Sequence, residues 1–110
     1  MNNDIEIYNE LAKILLFYAP KNSAVIKLKF VIEFDVEKNE TGTERFYFDY
    51  VDENGNEDWF VINDVGVPSK IGNLCMELRK KMIENSQGKW SALNFVVDIN
   101  KNRFTADFDY

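Results

Sequence analysis

Carboxylates are the only abundant side chains here with chemistry to offer. Of 110 residues, 19 are Asp or Glu and 13 are Lys or Arg, a net charge of −6, with no histidine and a single cysteine. The lack of histidine removes the commonest general base and transition-metal ligand. One cysteine cannot build a zinc site of the Cys/His type. Cys75 also lacks a histidine to activate it and shares the apolar side of a helical pattern with Leu74 and Leu78, so it reads as a small buried hydrophobe. Gly42, Gly55, Gly66, Gly72 and Gly88 are scattered, which excludes a phosphate loop or a dinucleotide turn. The run Asp52 to Asp58 lacks the twelve-residue ligand series of a calcium loop. Paired carboxylates of a glycosidase need a sugar cleft, for which a chain this short leaves little room. No catalytic residue, metal or cofactor is expected, and the chain does not read as an enzyme.

The acids make better sense as a recognition surface. Residues 33–64 hold 11 of the 19 acids and only 2 of the 13 bases. Such a block repels nucleic acid and anionic membrane and attracts a basic protein. The bland alternative is a solvated acidic surface kept for solubility. The candidate contacts with a positive partner are Asp49, Asp52, Glu53, Glu57, Asp58, Trp59 and Asp64, with Asp98, Asp107 and Asp109 as contributors. Tyr47, Tyr50, Trp59 and Trp90, near acids at a sheet edge, are of the types that anchor interfaces, against the bland reading of each as core or boundary filler. A rival reading is a small-ligand domain with a pocket between sheet and helices.

The elements that position these residues follow from periodicity. Asn3, with Glu6 three positions on, offers a helix cap, and Ile5, Tyr8, Leu11, Ala12 and Leu15 recur at helical spacing, predicting a helix over Asp4 to Tyr18 that Pro20 stops. The apolar run Ile14 to Tyr18 predicts a last turn buried on more than one side. From Ala24 to Val36 the period becomes two: Ile26, Leu28, Phe30, Ile32 and Phe34 face one way, Lys27, Lys29, Val31, Glu33 and Asp35 the other. A turn at Lys38 to Thr43 leads to a strand over Glu44 to Asp52, with Phe46, Phe48 and Tyr50 on one face and Arg45, Tyr47, Asp49 and Val51 on the other. Asn54-Gly55 then predicts a tight hairpin into a second aromatic run that reaches Asp64. Pro68 opens a second helix, whose apolar side is Ile71, Leu74, Cys75, Leu78 and Met82; it is expected to end near Asn85 with Gly88 as the left-handed stop. Two further alternating runs, Leu93 to Ile99 and Arg103 to Tyr110, flank a turn at Asn100 to Asn102.

The expected fold is α+β, in the order α-β-β-β-α-β-β: a single domain over residues 1–110, with a mostly antiparallel five-stranded sheet and two helices on one face. The other face is expected to be polar and acidic. A domain this long buries roughly 65% of its unfolded surface and needs no disulfide. Neither a secretion leader nor an apolar run of the ~20 residues that span a bilayer is visible, and the lone cysteine suits a reducing compartment, so a cytoplasmic location is expected.

The segments Gly88-Lys89-Trp90-Ser91-Ala92-Leu93-Asn94-Phe95 and Arg103-Phe104-Thr105-Ala106-Asp107-Phe108-Asp109-Tyr110 resemble the YezG-like immunity proteins. In that family a tryptophan enters an apolar strand and a Phe-x-Tyr strand follows a short turn. Phe46-Tyr47-Phe48-Asp49-Tyr50 and Trp59 look like its aromatic middle strands, and Val67-Pro68 like the Ile-Pro that opens its second helix. The likeness spans nearly the whole chain, although Lys21-Asn22-Ser23-Ala24 lacks a tryptophan often found there and residues 38–43 look like an insertion. The resemblance implies an antitoxin of polymorphic toxin systems, including contact-dependent growth inhibition. Such a protein binds the C-terminal domain of a cognate toxin, frequently a nuclease, as a monomer in a 1:1 complex and without touching nucleic acid.

Overall fold

The computed structural model describes residues 4–34 and 42–110. Its elements are α1 (Asp4–Tyr18), β1 (Ser23–Phe34), β2 (Gly42–Asp52), β3 (Glu57–Trp59), α2 (Val67–Glu84), β4 (Ala92–Asp98) and β5 (Arg103–Asp109). All strand pairs are antiparallel and the spatial order is β3-β2-β1-β4-β5. This is the expected α+β architecture. The expected cap at Asn3, the strand tail at Asp35 and Val36, and the turn at residues 38–41 lie outside the described residues.

β1 is the centre of the sheet, third of its five strands, and joins the first half of the chain to the second: Phe30 lies opposite Phe46 on one side and Leu93 on the other. Its apolar alternation puts Ile26, Leu28, Phe30 and Ile32 into the core with Leu93, Phe95 and Val97. Burying one such side chain contributes about 1.5–3 kcal/mol. Rings then carry the packing sideways. Phe108 meets Trp90, Trp90 meets Phe30, and contact continues through Phe46, Phe48 and Phe60 to Tyr50. This chain of rings fixes the β2–β3 hairpin to the core.

α1 lies over β4 and β5, with Tyr8 stacked on Phe95 at 5.9 Å and touching Phe104 at 5.6 Å. α2 reaches the start of β2, where a Cβ on Gly72 would meet the Glu44 carboxylate and the Phe46 ring.

Several expectations are corrected. The buried stripe of α1 is Ile7, Leu11, Ile14 and Leu15, while Ile5, Leu16 and Phe17 are exposed. A rotation of 100° per residue cannot bury five consecutive side chains against one sheet. The last turn is therefore open on its outer side. α2 ends in a left-handed residue, but that residue is Ser86 at φ 60°: the amides of Ser86 and Gln87 donate to the carbonyls of Ile83 (3.1 Å) and Met82 (2.8 Å). Gly88 comes two residues later, and its φ of 99° serves a different contact, the face of the Tyr110 ring. Trp90 is fully buried, and its indole N–H is the one buried side-chain polar atom without a partner among the described residues.

Candidate functional site

The hairpin tip is built by Asp52. Its Oδ1 accepts the amides of Asn54 (2.8 Å) and Asn56 (2.9 Å), and the Gly55 amide donates to the Asp52 carbonyl at 3.0 Å. Of Asn54 and Gly55 only Gly55 takes positive φ, at 86°, so the loop has three residues, Glu53 to Gly55, between Asp52 and Asn56. The Asn56 amide, followed by that of Asn54, holds the Asp52 carboxyl below the usual carboxylate range. Glu53 points out at the tip, while its amide donates to the Asn22 carbonyl at 3.1 Å and ties the tip to the α1–β1 turn. Asp52 thus has an internal task, holding the hairpin tip.

Cross-strand register distributes the other candidates. Asp49 lies opposite Trp59 and Val51 opposite Glu57, so these four share the helix-free face of the sheet. Asp58 lies opposite Tyr50 and belongs to the helix-covered side, at its outer edge. Its Oδ1 accepts the Trp59 amide at 2.8 Å. Trp59 is 68% exposed, with Tyr47 and Val61 also open beside it. Asp64 lies apart, accepting the Tyr18 hydroxyl at 2.5 Å and so joining the end of α1 to the β3–α2 connection. That hydrogen bond, more than partial burial or the Asp64 charge, raises the Tyr18 pKa.

Asp98, Asp107 and Asp109 also face the helix-free side, but on β4 and β5. Four strand spacings, about 19 Å, separate β3 from β5. Between the two groups stand Lys27 and Lys29 on β1. Lys27 lies across from Asp49 and Val96, and Lys29 from Tyr47 and Asn94. Lys27 Nζ is 2.9 Å from Glu57 Oε2, and Arg45 Nε is 3.2 Å from Glu33 Oε2. Both pairs are half exposed and worth little in stability, but each cancels an acid in the field a partner meets. The helix-free face is therefore mixed in sign, rather than simply acidic, because the lysines of β1 sit between acids from strands distant in sequence.

The ten candidates thus resolve into a hairpin group (Asp49, Glu57, Asp58 and Trp59, with Glu53 at the tip), a β4–β5 group (Asp98, Asp107, Asp109), and two residues that tie loops, Asp52 at the hairpin tip and Asp64 in the β3–α2 connection. Asp98 Oδ1 accepts the Lys101 amide at 3.1 Å, and Asp109 Oδ2 accepts Asn94 Nδ2 at 3.2 Å. Sequence alone does not place Val61 and the two lysines on this surface: register, which needs strand partners, brings in Lys27 and Lys29, and alternation from Trp59 brings in Val61.

A groove of about 370 Å³ runs along the outer margin of β2, lined by Phe46, Tyr47, Phe48, Asp49, Trp59 and Val61 among others. A wider one of about 600 Å³ lies between α1 and the end of the β4–β5 hairpin, with Asn9, Leu16, Asp98 and Arg103 in its wall. Among the described residues no three of His, Cys, Asp or Glu are grouped to hold a metal ion. Cys75 is buried, and burial first, then the Glu44 charge, pushes its thiol up to about 12. A thiol so protonated is a poor nucleophile. No helix among the described residues is long and apolar enough to cross a membrane.

A scan against models of known protein families finds no match for this chain. A search among curated proteins finds no relative either.

Proposed function

We propose that this chain is a cytoplasmic immunity protein that neutralises a basic toxin domain, in the first instance a nuclease, by binding it through the β2–β3 hairpin. One observation supports this reading above the others: Trp59, a large side chain left 68% exposed on an element anchored by a chain of ring contacts, stands across from Asp49, with Glu57, paired to Lys27, on the same face and Asp58 on the other side of its strand. A tryptophan held open by a stiff support gains on docking without an ordering cost. The carboxylates around it favour a cationic partner and speed its approach. A nuclease groove is basic because it holds phosphates, so an acidic hairpin can occupy it in their place. The resemblance to YezG-like immunity proteins adds the toxin–antitoxin setting.

The test is co-expression with the basic C-terminal domain of a toxin encoded beside this chain, followed by titration calorimetry. Growth should be protected and a 1:1 complex formed. Reversing charge at Glu53, Asp49 and Asp58, with Asp52 left intact because it holds the turn, should weaken the complex and flatten its salt dependence. Unchanged affinity and salt slope would remove the hairpin from the interface. The second reading, a small-ligand domain, has the groove between α1 and the β4–β5 hairpin in its favour; thermal stabilisation by a metabolite with no protein partner present would select it.

A further inference from the structure

β2 has eleven residues and β3 has three, and among the described residues the mismatch leaves half of one sheet margin without a paired strand. β3 pairs only with Asp49, Tyr50 and Val51, and one further bond runs from the Phe60 amide to the Phe48 carbonyl at 3.0 Å. The chain then leaves the sheet, because Ile62 turns into the core and Asp64 is held by Tyr18. The bonds Asp52 N–Asn56 O and Phe60 N–Phe48 O fix the phase of β2: its even-numbered residues aim their backbone groups outward. Glu44 and Phe46 therefore present two N–H and two C=O groups at the margin, with no backbone partner on that side among the described residues.

We infer that this margin is a strand-addition site for an extended, basic segment of a partner polypeptide. The partner's being a toxin rests on the function proposed above; the backbone geometry does not. An added strand would pair with Glu44 and Phe46 and continue the line that β3 abandons. The groove of about 370 Å³ is the space it would enter. Alternate side chains of such a strand would rest on Tyr47, Trp59 and Val61, which are 47%, 68% and 55% exposed. Of the devices that blunt a bare margin, Thr43 to Phe48 carries the charges of Glu44 and Arg45 but neither lysine nor proline, and it pairs with β1 without a bulge, so its backbone stays open to a strand of matching charge. Charge selects the occupant. Among the described residues Glu33, Glu44, Asp49, Glu57 and Asp58 stand around the margin against Arg45, paired with Glu33, and Lys27, paired with Glu57, so the balance is still acidic: a second copy of this chain would bring like charge to like, whereas a lysine- or arginine-bearing strand is attracted.

Amide hydrogen exchange by NMR on the full chain tests this, with a short synthetic peptide alternating lysine and valine as the probe. The amides of Glu44 and Phe46 should slow by at least about tenfold on adding the peptide, while those of Arg45 and Tyr47, which already face β1, should not change. A glutamate–valine peptide, and a lysine–valine peptide interrupted by proline, should have no effect. Glu44→Pro removes the outward N–H together with the carboxylate, and Glu44→Gln the carboxylate alone; both should fold with an unchanged melting temperature, and only Glu44→Pro should abolish the protection at Phe46. Absent protection, protection confined to β4 and β5, or undiminished binding by Glu44→Pro would each overturn the inference. Protection that grows with protein concentration alone would overturn the basic partner in favour of a second copy. The peptide arm needs no toxin and so can succeed where the immunity reading fails. Conversely, a toxin neutralised undiminished by Glu44→Pro would overturn strand addition and leave that reading standing.

Discussion

Trp59→Ala separates a binding role from a folding role more cleanly than any other substitution in this chain. Full burial of a large apolar side chain contributes about 1.5–3 kcal/mol. Trp59 is 68% exposed, so about a third of that, ~0.5–1 kcal/mol, is at stake in the free protein. Its strand makes a three-residue pairing with β2 whose bonds are backbone and survive truncation. Thermal unfolding followed by circular dichroism should therefore shift by less than about 8 °C. An interface anchor, in contrast, loses about 2 kcal/mol or more when cut to alanine, roughly a thirtyfold weaker dissociation constant against the proposed toxin domain. Calorimetric titration of wild type and variant reads that ratio. Two results would refute the reasoning: a binding loss below about threefold removes Trp59 from the interface, and a large drop in melting temperature means that the indole supports the fold.

Trp90 should behave in the opposite way. Trp90→Ala is expected to cost about 3–5 kcal/mol in urea unfolding, whereas Trp90→Phe should be nearly neutral, since the ~2 kcal/mol lost with the missing carbons is offset by removal of an unpaired buried N–H worth about 1–3 kcal/mol; equal losses would mean that the indole is hydrogen-bonded in solution. Gly88→Ala should cost about 1–2 kcal/mol through its φ of 99°, and more through the Tyr110 ring, which its hydroxyl bond to the Gln87 carbonyl (2.9 Å) holds against Gly88; in a Tyr110→Ala background the loss should fall but persist, and a loss that vanishes there would assign all the strain to the ring. Cys75 should resist thiol reagents at pH 8 in the folded state. Its folded pKa is raised above the unfolded value, so its contribution is complete below about pH 9 and is lost as pH rises towards about 12; Cys75→Ala should flatten that part of the stability profile, and an unchanged slope would assign it to other groups. Asp52 has the reverse sign: its folded pKa is lowered, so its contribution is present above the normal carboxylate range and fades as pH falls below about 4, a loss that Asp52→Asn should reduce.

Much of the fold was legible because local pattern and tertiary demand agree. β1 alternates cleanly and is buried on one side, so Ile26 to Ile32 announced both the strand and its inward face. α1 came out with the expected bounds because Pro20 blocks its continuation. The helical repeat was less informative about phase, which a run as apolar as Ile14 to Tyr18 leaves ambiguous. β3 was over-read for a related reason: Trp59 to Ile62 is as strand-like in composition as β2, yet Ile62 is needed in the core beneath the helices, and that tertiary claim ends the pairing after Phe60. Ser86 took the left-handed position expected of Gly88, since the helix end is set by where Met82 must lie rather than by the nearest glycine. The candidate site was the least legible part. Counting charge along the chain found the acids but not Lys27 and Lys29 between them, because what a partner meets is decided by register across strands that lie up to some seventy positions apart.

The central place of β1 has a kinetic consequence. One flank of β1 is closed early by β2, but the other waits for β4, whose residues lie more than sixty positions downstream. At synthesis rates of about 5–20 residues per second, that flank stays open for roughly 3–13 seconds on the ribosome. The strand that later holds the sheet together is, during those seconds, its stickiest part. Chaperone capture or pairing between neighbouring nascent chains should therefore centre on Ile26 to Ile32 and cease once Val97 has emerged.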